Sequence, residues 1–327
     1  NTTGASNTAL GHAALSSATT ASKNTAVGRY ALYLNTTASN NTAVGYGSLG
    51  ANTTGTENTA VGTEALNATI TGSYNTAVGR SALLLNTGEH NTAVGRIALR
   101  TNSSGADNTA LGSRAMYANS SGSSNTAVGV NALDANTTAS NNTAVGYASL
   151  TANTTGADNV AIGRSALAAN ETGHSNISIG VYSLDANSTG IQNTAIGKYA
   201  LSTNTTGAGN VALGADALQA STTGGSNTAI GYNAGGAITT GQANLCVGYN
   251  TGDYQATLTT GIGNVLVGPY CDVVSGTAND AHAFGYNLDA ASGYTTLGSG
   301  GSDIRAAFGN VTWATVSDER YKKDIVD

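Results

Sequence analysis

The sequence predicts an all-β protein, a parallel β-solenoid or β-roll of 17-residue coils. Three observations predict it. The phrase Asn-Thr-Ala-Val-Gly, first met as Asn7-Thr8-Ala9-Leu10-Gly11, occurs 15 times, the last at Asn244. Thirteen of the 14 intervals are 17 residues, and the one from Asn75 to Asn91 is 16. A fixed short period marks one supersecondary unit stacked on itself. Finally, each unit usually carries two glycines and several β-branched residues, which disfavour helix.

The unit reads Asn-Thr-Ala-Val-Gly-x-x-Ala-Leu-x-x-Asn-Thr-Thr-Gly-x-x, positions 1 to 17. Position 4 is always Val, Leu or Ile, and position 2 is Thr except at Val160, Ile177, Val211 and Leu245. Exchange of Thr for aliphatics predicts a half-buried strand with positions 2 and 4 facing inward and the small position 3 facing out. Gly fills position 5 in every copy, including Gly28, Gly45, Gly62, Gly112, Gly129 and Gly146. A corner with positive φ, or close approach of the next coil, requires it there. Positions 6 to 9, ending in the Ala-Leu pair, predict a second short strand. The Asn-Thr-Thr-Gly stretch predicts a turn. Positions 4, 8 and 9 also have helical spacing, but the glycines oppose that reading.

The Asn column at position 1, with Asn24, Asn41, Asn58, Asn108, Asn125 and Asn142 among its members, predicts a ladder of identical side chains stacked in register. N-glycosylation at Asn-x-Ser/Thr sequences such as Asn35-Thr36-Thr37 is the competing use of the turn asparagines. The 16-residue coil loses one turn residue, which leaves strand register intact. Three segments follow: a repeat shaft over 1–244, an irregular β transition or cap over 245–316, and a different terminal segment over 317–327.

Only 9% of residues are charged and the net charge is -6, with no run of Lys or Arg. This argues against nucleic acid as a partner. No apolar stretch reaches membrane-spanning length, so no membrane insertion is expected. The four histidines have no metal-ligand spacing, and no phosphate loop occurs, so neither metal nor cofactor is expected. Cys246 and Cys271 read as two buried free thiols, with a disulfide as the alternative. Asn1 already lies within the repeat phase, from which a longer parent protein is expected.

With three large inward groups per coil, the core looks thin, and the repeated Ala columns invite packing of several chains under closed symmetry. The Asn-Thr-Ala-Val-Gly-x-x-Ala-Leu pattern over roughly residues 7–250 resembles the repeats of YadA-like trimeric adhesin heads, at 17 rather than about 14 residues per coil. Similar repeats are found in bacteriophage tail fibres. The resemblance implies a homotrimer, intertwined or side by side.

The string Ser317-Asp318-Glu319-Arg320-Tyr321-Lys322-Lys323-Asp324-Ile325 is similar to the opening of the intramolecular chaperone domain of endosialidase-type phage tail spikes. The resemblance implies trimerisation and self-cleavage between Val316 and Ser317, with Ser317 as nucleophile and Lys322 as base. Such a dyad needs a lysine whose pKa is lowered by burial.

Position 6 is the variable column. Its Tyr46, Tyr147, Tyr232, Tyr249 and Arg164 are candidates for recognising a host-surface glycan or protein. The expected function is a receptor-binding tail fibre or spike, located in the virion or at a cell surface. It would join other tail proteins through a preceding N-terminal region. The alternatives are a bacterial trimeric adhesin, an ice-binding solenoid, and a capsule depolymerase using carboxylates such as Glu57, Glu64 and Glu89. The ice-binding reading is disfavoured because Thr-Thr at positions 13 and 14 falls in the turn.

Overall fold

The computed structural model describes residues 2–255, 257–300, 302–309 and the backbone of 314–315. The chain divides into two compact units, 1–173 and 174–327. Each is an all-β parallel β-solenoid, with no helix among the described residues.

In the first unit the repeat yields three-residue strands, from β1 (Thr8–Leu10) to β10 (Val160–Ile162), one per coil. Each pairs in parallel with the next, and equivalent unit positions face each other: Thr8 with Thr25, Ala26 with Ala43, Val145 with Ile162. The second unit continues the pattern from β11 (Ile177–Ile179) to β16 (Val265–Val267).

The expected facing of these strands is reversed. Ala at position 3 is the inward residue, fully buried at Ala26, Ala43, Ala60 and their equivalents. The flanking Thr and Val face out and remain half-exposed or exposed. Leu at position 9 explains the reversal. Leu32, Leu49, Leu66 and the column that follows them to Leu218, with Met116 among its members, are completely buried, while Leu15 of the first coil is half-buried. One Leu with two Ala already fills so slim a coil, and a second layer of Val would overpack it. Chain thinness is therefore met by small residues inside.

The second strand predicted at positions 6 to 9 is not formed. Positions 7 and 9 have positive φ, as at Tyr30 (61°) and Leu32 (50°), whereas the residues between them do not. Coils still bond across this segment: Tyr30 N–H donates to His12 carbonyl at 3.1 Å and Leu32 N–H to Ser48 carbonyl at 3.0 Å. A left-handed conformation costs a branched residue roughly 1–2 kcal/mol. Burying a Leu side chain returns about 1.5–3 kcal/mol, so the column keeps Leu despite the strain.

Position 5 has both properties that glycine offers. At Gly112 φ is 137°, and a Cβ there would lie 2.5 Å from the Gly129 carbonyl oxygen of the next coil. The same approach recurs at Gly28, Gly45, Gly62, Gly129 and Gly146.

The second unit departs from the repeat where its leucines end. Gly235 and Gly252 hold position 9 with φ of 58° and 73°. Ile238 and Leu258, replacing Asn at position 12, are fully buried instead. At Gly235 a Cβ would stand 3.1 Å from Ile238 Cδ1, so the isoleucine occupies the missing leucine's space. One coil later Asp272 is buried at position 9. Its Oδ2 accepts the N–H groups of Tyr254 (3.0 Å) and Gln255 (2.7 Å), and Oδ1 accepts Val273 N–H at 2.8 Å. The longer loop of the preceding coil thus satisfies a buried carboxylate.

Beyond β16, the pair β17 (Asp272–Val273) and β19 (Asp289–Ala290) forms a separate parallel sheet. The strand β18 (His282–Tyr286) pairs in parallel with β20 (Tyr294–Ser299). Antiparallel pairing then begins, β20 with β21 (Ser302–Ala307) and β21 with β22 (Ala314–Thr315). The weak sequence echoes Phe284-Gly285 and Leu297-Gly298 are register partners.

Candidate functional site

Two buried asparagine ladders run along the coils within each unit, one at position 1 and one, interrupted at Thr69 and Ser221, at position 12. At position 1, Asn41 N–H donates to Asn24 Oδ1 at 2.9 Å, and Asn58 N–H to Asn41 Oδ1 at 2.9 Å. Asn125 N–H donates to Asn108 Oδ1, and Asn142 N–H to Asn125 Oδ1, each at 3.0 Å. The bond is therefore backbone to side chain, supplemented in places by Nδ2 to Oδ1, as from Asn125 to Asn108 at 3.1 Å.

Sequence reasoning placed position 12 in a turn and missed the second ladder. Asn102 Nδ2 donates to Asn86 Oδ1 (2.7 Å), and Asn136 Nδ2 to Asn119 Oδ1 (2.7 Å). Both ladders meet at the position 15 carbonyl: Gly55 carbonyl accepts Asn41 Nδ2 and Asn52 Nδ2, each at 2.9 Å. The signal was available, because a solvent-facing turn asparagine has no reason to keep its identity coil after coil. These asparagines are fully buried and so are poor acceptors of a glycan.

The outer surface carries the chemistry. On the first unit the column of outward Thr runs unbroken from Thr8 to Thr143. Beside it runs the position 4 column of Val, Leu and Ile, with Leu111 at 47% and Ile162 at 39% exposure. An aliphatic stripe repeated along a sheet face is unusual on a solitary chain.

The position 6 and 7 residues form aromatic ridges. In the first unit Tyr30 packs edge-on against Tyr33 (5.3 Å), Tyr46 (6.1 Å) and His12 (5.6 Å). Arg29 lies 4.7 Å above Tyr30 and donates to its hydroxyl at 3.2 Å, which raises the guanidinium pKa. Tyr147 is 57% exposed, and Arg164 occupies the same column one coil later. In the second unit Tyr232 stacks on Tyr249 at 5.4 Å, and the series continues through Tyr270 to Tyr286. The five singled-out residues thus fall into separate places: Tyr46 in one cluster, Tyr147 and Arg164 further along that unit, Tyr232 and Tyr249 in the other.

Cys246 and Cys271 are buried and free. Burial foremost, and then the Asp272 carboxylate, push the Cys246 thiol up to about 12. Neither is a nucleophile in this setting. No group of three or more His, Cys, Asp or Glu side chains suited to a metal occurs among the described residues. Ser317, Lys322 and the Val316–Ser317 bond lie outside the described residues.

No protein-family profile matches the chain, and neither does any curated protein or solved structure.

Proposed function

We propose that this chain is the shaft of a homotrimeric attachment fibre of a bacteriophage tail, which binds the host surface and matures by cleavage before Ser317. One observation carries the trimer: the regular coils complete their core with Ala, Leu and Asn yet leave, in each unit, a Val, Leu and Ile column facing out. Joining three such columns about an axis removes them from water at about 25 cal/mol per Å². The closed symmetry also limits assembly to a defined particle. The role is mechanical: a stiff shaft presents aromatic ridges in several copies, and avidity multiplies weak contacts.

The terminal Ser317-Asp318-x-Arg320-x-Lys322 string supports the phage reading over a bacterial adhesin. Intact mass of a chain extended by its downstream domain tests it; the reading expects a product ending at Val316. Assembly is tested by light scattering with Leu111→Glu and Val128→Glu together. The wild type should run at three times the chain mass, and the double variant as a single chain with an unchanged circular dichroism spectrum. A monomeric wild type would sink the trimer.

A second reading has its own observation. The Thr column at position 2, not the turn Thr-Thr pair, forms an outward array in register on the first unit. Such an array is what an ice-binding face requires, and thermal hysteresis of the purified chain tests it.

A further inference from the structure

Every other coil of the first unit carries a side chain at position 7 or 10, but the coil of Asn41 has Gly47 and Gly50 at both. The coils on either side keep theirs: Tyr30 and Tyr33 before it, Glu64 and Asn67 after it. Two absent side chains between two occupied coils leave a pocket of about 300 Å³. That is the lower end of the size range of small-molecule sites.

Its lining has two kinds of surface. Tyr33 and Tyr46 are exposed, and with Tyr30 they form a wall of mutually inclined rings. Opposite stand half-buried Glu64 and Asn67. Asn67 reaches back across the gap, and its Nδ2 donates to Gly47 carbonyl at 2.6 Å. Ser81 Oγ donates to Glu64 Oε2 at 3.3 Å, which steadies the carboxylate. Glu64 is the one charged residue among the described residues lining the pocket.

We propose that this pocket binds one neutral hexopyranose unit of a glycan. Tyrosine faces pack on the sugar's C–H face, while a carboxylate and an amide answer its hydroxyls. An acidic sugar is excluded by Glu64, since a like charge in a half-buried site is unfavourable. The assignment rests on the attachment reading for its biological meaning, but its chemistry stands alone.

The test is saturation-transfer NMR on the full chain with glucose, galactose and mannose oligosaccharides, and with a sialylated one. At least one neutral oligosaccharide should bind, on the order of millimolar, as expected for one shallow subsite. Tyr46→Ala should weaken it about tenfold, the loss expected for one stacked ring. Gly47→Tyr should abolish it by filling the gap. That variant keeps the fold, because position 7 carries Tyr at Tyr30, Tyr182 and Tyr199 with the same positive φ. Circular dichroism checks this. Absence of transfer from every neutral sugar, or binding indifferent to Gly47→Tyr, overturns the pocket. Cell adsorption separates the two ideas. Sugar binding lost in Gly47→Tyr with adsorption unchanged supports the pocket and separates it from attachment; sugar binding without any adsorption removes attachment and keeps the pocket.

Discussion

Asn142 N–H donates to Asn125 Oδ1 at 3.0 Å, both residues being buried. The acceptor belongs to the preceding coil, so Asn125 Oδ1 is the only route by which this interior amide avoids a desolvation penalty. Asn125→Ala should therefore cost about 3 kcal/mol, combining an unsatisfied N–H with lost packing. Urea unfolding measures the cost, and hydrogen exchange at Asn142 should rise selectively. Protection of that amide equal to wild type would refute the argument.

The second ladder has a gap that can be repaired. Ser221 replaces Asn at position 12, and both Asn204 Oδ1 and Ser221 Oγ are buried without a hydrogen-bonding partner. Ser221→Asn places Nδ2 where it can donate to Asn204 Oδ1, as Asn204 Nδ2 already does to Asn187 Oδ1 at 2.9 Å. Thermal unfolding should show stabilisation of about 1 kcal/mol. A destabilised variant would mean that the pocket around Ser221 is too small for an amide.

How far the chain could be read from residues alone follows from what repetition reveals. The period, the stacking in register, the corner at Gly112 and the buried role of Leu32 were legible, because columns of identical residues state them directly. Facing was not. The exchange of Thr for Val at Val160 fits an outward strand face as well as an inward one. The turn at positions 6 to 9 was hidden because Tyr30 and Leu32 adopt left-handed backbone without the Gly or Asn that announces it. The pocket by Tyr46 was invisible, since the two missing side chains at Gly47 and Gly50 become a cavity only once the path of the turn at positions 6 to 9 is known.

Gly235 and Ile238 should behave as a coupled pair. Gly235→Leu alone forces a side chain to within 3.1 Å of both Ile238 Cδ1 and Leu218 Cδ2. Overpacking of this kind costs roughly 1–3 kcal/mol. Ile238→Asn alone leaves a cavity, while the two together restore the usual Leu and Asn of the repeat. A double-mutant cycle by urea unfolding should give a favourable coupling above about 1 kcal/mol. Additive costs would show that the two side chains do not share one space.

Alkaline pH should weaken the second unit through Cys246. Burial raises its folded thiol pKa to about 12 from an ordinary value of 9.0. A raised folded value favours the neutral thiol, so its contribution is complete below about pH 9 and is lost as pH climbs towards 12. Cys246→Ala, which installs the residue usual at position 3, should flatten the decline in stability between pH 8 and pH 11 relative to wild type. Identical pH profiles for the two would overturn this assignment.

In the regular coils, hydrogen bonds run within the coil and to its two neighbours, through groups that recur at the same places from one copy to the next. Removing or duplicating one whole 17-residue unit within such a run therefore presents each remaining coil with a like neighbour. The number of coils can then change like links in a chain, while the outward positions are free to vary without disturbing the ladders.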